Sequence, residues 1–357
     1  MGTLTMNPTL TFNGTEAREG ILEVAFAKPA LSQVHTIYEG IVAKEQIAFL
    51  GRLSKVTLKD AGCGTGQSTK ALPHNEKFWE PVETKIWLQP CYKDFVAAFW
   101  VYGMRKGINR SDLSGTDLAD YIMTVLADAV YEDALRMIWF GDKDITDIGD
   151  SPAGELALAA DIPYYSIIDG LWKQIFAGVA IGAGTWGHIP RVALAPNAES
   201  TKALQLSTFA AGASLTIFRD LLAAADGRLR SAPNKVILVS DTIFANWQEY
   251  KESKVLESSW KQQDFDMQTG VYRGCTIIPM DSWDRHIIGD FDNGTTWHLP
   301  HRAVLTTVEQ LAVGFDSSSE MQNFDAFLDK TTELYNIKAG YKLDTKTMEH
   351  YMIAAAY

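Results

Sequence analysis

The stretch from Ser114 to Phe140 constrains the fold more than any other part of this sequence. Ser114 followed three residues later by Asp117 has the form of a capping box, and Leu118, Ile122, Val125, Ala129 and Val130 recur at helical spacing. A helix of about 27 residues would extend roughly 40 Å. That is too long for a typical element of a compact doubly wound domain, and its apolar repeat is too irregular for a coiled coil. The chain needs an architecture that can lodge one solitary long helix.

The segments around it set further limits. Residues 1 to 30 are rich in Thr, Asn and Gly with few periodic apolar positions, and read as an extended arm. The spacing of Val34, Tyr38, Ile41, Val42, Ala48 and Phe49 predicts a helix from Leu31 to Leu53. A Gly/Ser/Thr-rich stretch then separates Val56-Thr57-Leu58 from Lys85-Ile86-Trp87-Leu88, the layout of a long hairpin with a loose tip. Downstream, a second helix is expected from Ser200 to Ala225, ending at Gly227. Asn234 to Ser240 reads as a buried strand feeding a helix that turns Ile243, Phe244, Trp247 and Tyr250 inward. Strands are expected around Val271–Ile278 and Arg285–Phe291, with Asn293-Gly294 as a type I′ turn and long strands at the end of the chain.

Composition removes several functions. At 357 residues with 46% hydrophobic and 21% charged side chains, the chain can form one large domain or two medium ones and bury roughly three quarters of its unfolded surface. A net charge of −12 argues against broad nucleic-acid binding as the main role, since phosphate neutralisation needs clustered Lys and Arg. Cys63, Cys91 and Cys275 are too few and too unevenly spaced for a disulfide framework or a zinc site. No stretch reaches the roughly 18 apolar residues of a membrane span, and the first residues predict no signal peptide.

One motif points to an enzyme. Lys59-Asp60-Ala61-Gly62-Cys63-Gly64-Thr65-Gly66 looks like the cofactor loop of an S-adenosylmethionine-dependent methyltransferase, and Asp161-Ile162-Pro163-Tyr164 is one residue from the box with which amino-methyltransferases hold a flipped base. The rest of that geometry fails. Pro73 and Pro81 interrupt the helix that must follow the glycines, Ile86-Trp87-Leu88 stands where a ribose-binding acid should fall, and Ser54 to Asp60 alternates with polar residues where a central parallel strand would be apolar. The bland reading makes the glycines a hairpin tip. Asp142-Lys143-Asp144 and Asp290 to Gly294 lack the glycine and glutamate of a calcium loop and read as solvated turns. His286, His298 and His301 read as surface or hairpin histidines rather than metal ligands. No catalytic, cofactor-binding or metal-binding residue is assigned, and no cofactor is expected.

The order of elements, together with "MIWFGDKD", "NKVILVSDTIFANWQEYKE", "GVYRGCTIIPMDSWD" and the tail from His301 to Asp344, resembles the major capsid proteins of tailed bacteriophages. The resemblance implies an α+β, Hong Kong ninety-seven-like capsid fold. Its parts would be an N-terminal arm at 1–36, a helix at 37–53, an extended loop at 54–104, a peripheral domain at 105–190 with a spine helix at 114–140, an axial domain at 191–300, and closing strands at 301–357. It also implies a non-enzymatic subunit that assembles as pentamers and hexamers into an icosahedral shell around double-stranded DNA, held without sequence specificity. The implied partners are a separate scaffolding protein, a portal and decoration proteins, with no membrane; the implied location is the virion, assembled in the host cytoplasm. The alternative readings are an encapsulin-like shell, which uses the same fold to store cargo enzymes, and the methyltransferase.

Overall fold

In the computed structural model the described residues are 31–50, 74–89, 129, 131–148, 156–207, 209–253, 261–262, 268–315, 324–329 and 334–357. Two sheets organise them. The larger has seven strands in the spatial order Arg191–Val192, Ala354–Ala356, Ala303–Thr307, Lys235–Val239, Cys275–Pro279, Gln268–Tyr272 and Lys261–Gln262. Its centre is apolar on both faces because both are covered. Val236, Leu238, Ile278, Val304 and Ala355 pack into one core, and Ile237, Val239, Ile277, Ala303, Leu305, Ala354 and Ala356 into another, against the helices Ala213–Ala224 and Asp241–Ser253. The expected strand at 234–240 and the inward Ile243, Phe244 and Trp247 are found there, with Tyr250 half-buried.

The second sheet is built on Leu334–Thr347, a strand of 14 residues. Val82–Leu88 lies antiparallel to it, and Leu311–Phe315 and Phe324–Asp329 pair with successive parts of it. Leu343 faces both Phe315 and Val82 in register, so the long strand is central there. Thr36–Glu39 completes the sheet, parallel to Leu311–Phe315. A two-stranded hairpin stands apart, Glu45–Leu50 against His74–Trp79, paired from Glu45↔Trp79 to Leu50↔His74.

Between the sheets lies an aromatic core. Residues 131–140 are helical, and Leu135, Ile138, Trp139 and Phe140 are buried at their end. Trp139 and Trp172 both meet Trp283 edge-on, with ring centroids 4.7 and 5.0 Å apart. Arg302 is fully buried beside them, its guanidinium 4.8 Å from the Trp172 ring and donating to the carbonyls of Leu299 (2.9 Å) and His298 (3.0 Å). The chain reaches this core through a contact only glycine permits: a Cβ on Gly141 would lie 2.4 Å from the Ile168 carbonyl oxygen.

Several local expectations are corrected. The helix expected over 31–53, and the 37–53 helix implied by the resemblance, is instead a single turn at Leu31–Val34 followed by the strands Thr36–Glu39 and Glu45–Leu50. Thr36-Ile37-Tyr38 favours extended backbone, and Gly40 turns the chain at φ 82°. The apolar positions that fit a helix are split between strands, with Tyr38 and Val42 exposed. The helix expected over 200–225 is broken into Lys202–Ser207 and Ala213–Ala224, the second opening on Gly212 at φ 77°. The strand expected at Arg285–Phe291 is instead the second half of the helix Asp281–Asp290 with Phe291 as its cap, and the helix buries Trp283, His286 and Ile287 at i, i+3 and i+4. The type I′ geometry falls on Arg273-Gly274, φ 47° and 78°, between the paired Tyr272 and Cys275. At 293–294 only the glycine has positive φ, and the Asn293 side chain accepts from the Thr295 and Thr296 amides.

Candidate assembly interface

The hairpin Glu45–Leu50/His74–Trp79 forms a two-stranded sheet of its own, separate from the two larger sheets. Among its described side chains only Trp79 is buried; Ile47 and Phe49 help it cover a small cluster of Ile41, Ala312 and Met348. Trp79 fits because position 314 is glycine, whose built Cβ would come within 3.0 Å of the indole. Glu45, Gln46, Ala48 and Glu76 are exposed, and Lys77 and Phe78 are half-buried. An isolated two-stranded hairpin is marginal in water, so its order depends on this root and on whatever covers its flanks.

Polar contacts complete the root. The Lys77 ammonium donates to the carbonyls of Thr347 and Met348 (2.9 Å for the latter) and lies 2.9 Å from His350 Nε2. The next residues add a bond from the Glu80 amide to Asp344 Oδ2 (2.7 Å) and an exposed Lys44–Glu80 ion pair (2.7 Å). Burial pulls the Lys77 pKa down to about 8, helped by Lys346 and opposed by Glu349. His350 is pulled down to about 4 by burial first and the Lys77 charge second, against the bond to the Gly187 carbonyl. Nothing in the sequence marks this cluster: its members stand some 270 residues apart and none belongs to a motif.

Other exposed apolar side chains belong to several different elements. Trp87 is 50% exposed on Val82–Leu88, its indole nitrogen donating to Asn336 Oδ1 (3.2 Å) and Lys85 lying 4.6 Å from its ring. Leu204 and Leu206 protrude from the short helix Lys202–Ser207, and a separate groove runs between Leu194-Ala195-Pro196 and Phe209 to Ala213. Ile288, Val271 and Trp186 are about half exposed elsewhere.

The motifs singled out for chemistry resolve differently. Asp60 to Gly66, Cys63 and Cys91 lie outside the described residues, within or beyond the segment that the two hairpin strands enclose. Asp161-Ile162-Pro163-Tyr164 is no base-binding box: Ile162–Tyr165 is one helical turn, the Tyr164 hydroxyl donates to the Asp133 carbonyl (3.0 Å), and Tyr165 donates to Asp290 Oδ2 (2.6 Å). Burial raises both phenols. Asp142-Lys143-Asp144 is not simply a solvated turn. Asp142 is buried, and Asp142, Asp144 and Asp169 converge on Lys173 Nζ at 2.5, 2.7 and 2.6 Å. Among the described residues this is the one acidic group with the spacing of a cation site, and the Lys173 ammonium already pairs with all three carboxylates. His286 and His301 are buried rather than at the surface; His301 bonds Thr242 Oγ1 (2.7 Å) and the Gln205 carbonyl (2.9 Å), and the three histidines form no ligand cluster. Cys275 is a buried free thiol, its pKa raised by burial.

No family model and no curated protein matches the sequence. Solved structures do match. A chain of the holo-SrpI encapsulin complex from Synechococcus elongatus PCC 7942 aligns with a TM-score of 0.52 at 10% identity, over 97% of this chain and 95% of its own. A structure from Mycobacterium phage Ogopogo aligns with a TM-score of 0.51 at 10% identity, over 92% of this chain and 91% of its own. A chain of the satellite phage P4 procapsid aligns at 0.49 and 9% identity, over 95% and 98%. The chain has the Hong Kong ninety-seven-like capsid fold, of mixed α+β construction, as the order of its elements implied.

Proposed function

We propose that this protein is a tailed-phage major capsid protein, a non-enzymatic subunit that closes into an icosahedral shell of pentamers and hexamers around double-stranded DNA. The observation that carries the reading is the two-stranded hairpin on a Hong Kong ninety-seven-like frame, of whose described side chains only Trp79 is buried while Glu45, Gln46, Ala48 and Glu76 are exposed. Beyond its root, such an element gains further order by burying its flanks on a neighbouring copy. Dispersed exposed groups such as Trp87 and Leu206 suit a subunit with neighbours on several sides, whereas an enzyme concentrates its chemistry in one cleft. The acidic net charge of −12 suits a wall that does not trap the packed genome.

On this reading the parts are an N-terminal arm, an extended loop built on the hairpin, a peripheral domain carrying the spine helix of 114–140, of which only 129 and 131–140 are described and helical, and an axial domain at 191–300 joined by closing strands from 301–357. The seven-stranded sheet supports the last assignment, since Ala303–Thr307 and Ala354–Ala356 are two of its strands. A scaffolding protein, a portal and decoration proteins are the expected partners, and assembly takes place in the host cytoplasm before the protein resides in the virion.

Size-exclusion chromatography with negative-stain microscopy tests the proposal. Pentamers, hexamers or closed shells are expected; a compact monomer or dimer that binds S-adenosylmethionine refutes it. The match to an encapsulin favours one second reading, a shell that stores an enzyme. Copurification of cargo enzyme instead of DNA would decide for that alternative.

A further inference from the structure

The root of the hairpin holds a group that no part of the shell reading requires to be titratable. We propose that His350 and Lys77 form an acid-released latch, closed while the imidazole is neutral and opened when His350 takes a proton, which frees the hairpin to pivot at its root.

The bond pattern fixes the protonation states. An ammonium has three N–H donors, and Lys77 has three acceptors in reach: the Thr347 carbonyl, the Met348 carbonyl (2.9 Å) and His350 Nε2 (2.9 Å). On the far side of the ring, Nδ1 faces the Gly187 carbonyl, which can only accept, so Nδ1 carries the hydrogen and Nε2 offers its lone pair to Lys77. A proton added to Nε2 removes that acceptor and sets two cations face to face at 2.9 Å. Thr347 Oγ1, 3.0 Å from the same nitrogen, is neutral and can answer only by rotating its hydroxyl.

Among the described residues the ring nitrogens of His350 are bonded to Lys77, Thr347 and the Gly187 carbonyl and to no carboxylate. Trp186 stacks over it with planes 8° apart. Glu349, the nearest acid on the same segment, accepts from the Tyr351 hydroxyl. Lys346 lies beside Lys77 and is paired with Asp344 at 3.3 Å. On the hairpin, Glu76 is exposed and bonded to Gln46. On the 181–190 loop, His188 is bonded to the Ile181 carbonyl at 2.6 Å. The linkage has one sign. With His350 at about 4 in the closed latch and near 6.5 once solvated, the open form binds more protons between those values, so acid favours opening. Lys77, held at about 8 when closed, works in the same direction: raising the pH through 8 to 10 tightens the closed form instead of releasing it.

The latch is independent of what the shell encloses, and its test is distinct from the assembly test. Hydrogen exchange of the full-length protein, corrected for intrinsic rates, is followed by mass spectrometry at pH 7 and pH 5. Exchange at Glu45–Leu50 and His74–Trp79 should rise about twentyfold at the lower pH from the two His350 values, while Lys235–Val239 and Ala303–Thr307 stay protected. His350→Gln should remove the pH dependence. A hairpin change below threefold, an equal change in the central strands, or an undiminished pH dependence in His350→Gln overturns the proposal. Should that variant fail to fold, the imidazole C2 exchange rate of His350 in the wild type decides: a midpoint near 4 supports the latch, and one near 6.5 refutes it.

Discussion

Replacing Lys173 by Met should expose how strongly the chain depends on one ammonium. Methionine keeps most of the aliphatic length of the side chain, so the change isolates the charge. Lys173 Nζ lies 2.5 Å from Asp142, 2.7 Å from Asp144 and 2.6 Å from Asp169. These contacts are unequal. The Asp144 side chain is 87% exposed and contributes at most about 1 kcal/mol. The Asp142 side chain is 1% exposed, and stripping one partner from a buried pair costs about 3–5 kcal/mol. Asp169, 35% exposed, falls between them. The electrostatics agree in direction: Lys173 is raised despite its burial because three carboxylates accept from it, and Asp169 is lowered despite its own burial because Lys173 and the Lys143 amide donate to it. Without the lysine, the three carboxylates have oxygens within 4.8 Å of one another, and each pair repels by about 3 kcal/mol at an effective dielectric constant of 20. We expect Lys173→Met to lose about 3–4 kcal/mol at pH 7 in urea unfolding followed by circular dichroism. Millimolar calcium should restore part of the stability to the variant and none to the wild type, because only the variant offers an acidic cluster without its ammonium. A loss below about 1 kcal/mol at pH 7 would show that the cluster is solvated like any surface ion pair and would refute the reasoning.

Other outcomes follow from single contacts. Gly270→Ala would place a methyl carbon 1.8 Å from the Trp247 ring, and should lower the urea midpoint by an amount equivalent to about 1–3 kcal/mol; an unchanged midpoint would mean the indole moves aside freely. Burial raises the Asp284 carboxyl to about 7, although it accepts from the Asp241 amide at 2.7 Å. Because its folded value exceeds its unfolded value near 4, the stability this group contributes is present below pH 4 and is lost as the pH rises toward 7. Asp284→Asn should flatten that slope in unfolding measured from pH 4 to 8, and an unaltered slope would assign it to other groups.

The sequence by itself determined the parts that depend on local chemistry. Lys235–Val239 is apolar nearly throughout because it is covered on both faces, and that pattern was readable without coordinates. The same holds for the inward face of Asp241–Ser253 and for the long strand near the end of the chain. Against the glycine loop as a cofactor cradle stands the sequence alone, with prolines and polar residues where a helix and strand were required, because residues 60–66 lie outside the described residues. Only the tertiary structure decided the rest. Val34, Tyr38 and Ile41 satisfy a helical period equally well, and the parallel pairing of Thr36–Glu39 with Leu311–Phe315, far along the chain, made them extended. Trp283, His286 and Ile287 became a helical face because an aromatic core formed by Trp139 and Trp172 was there to receive it. The hairpin root is the extreme case: Lys77 and His350 have no local relation, and the closing strand sets them 2.9 Å apart. Periodicity records which face of a segment is buried, but the identity of the neighbour that buries it is a long-range property, fixed only when distant strands find their register.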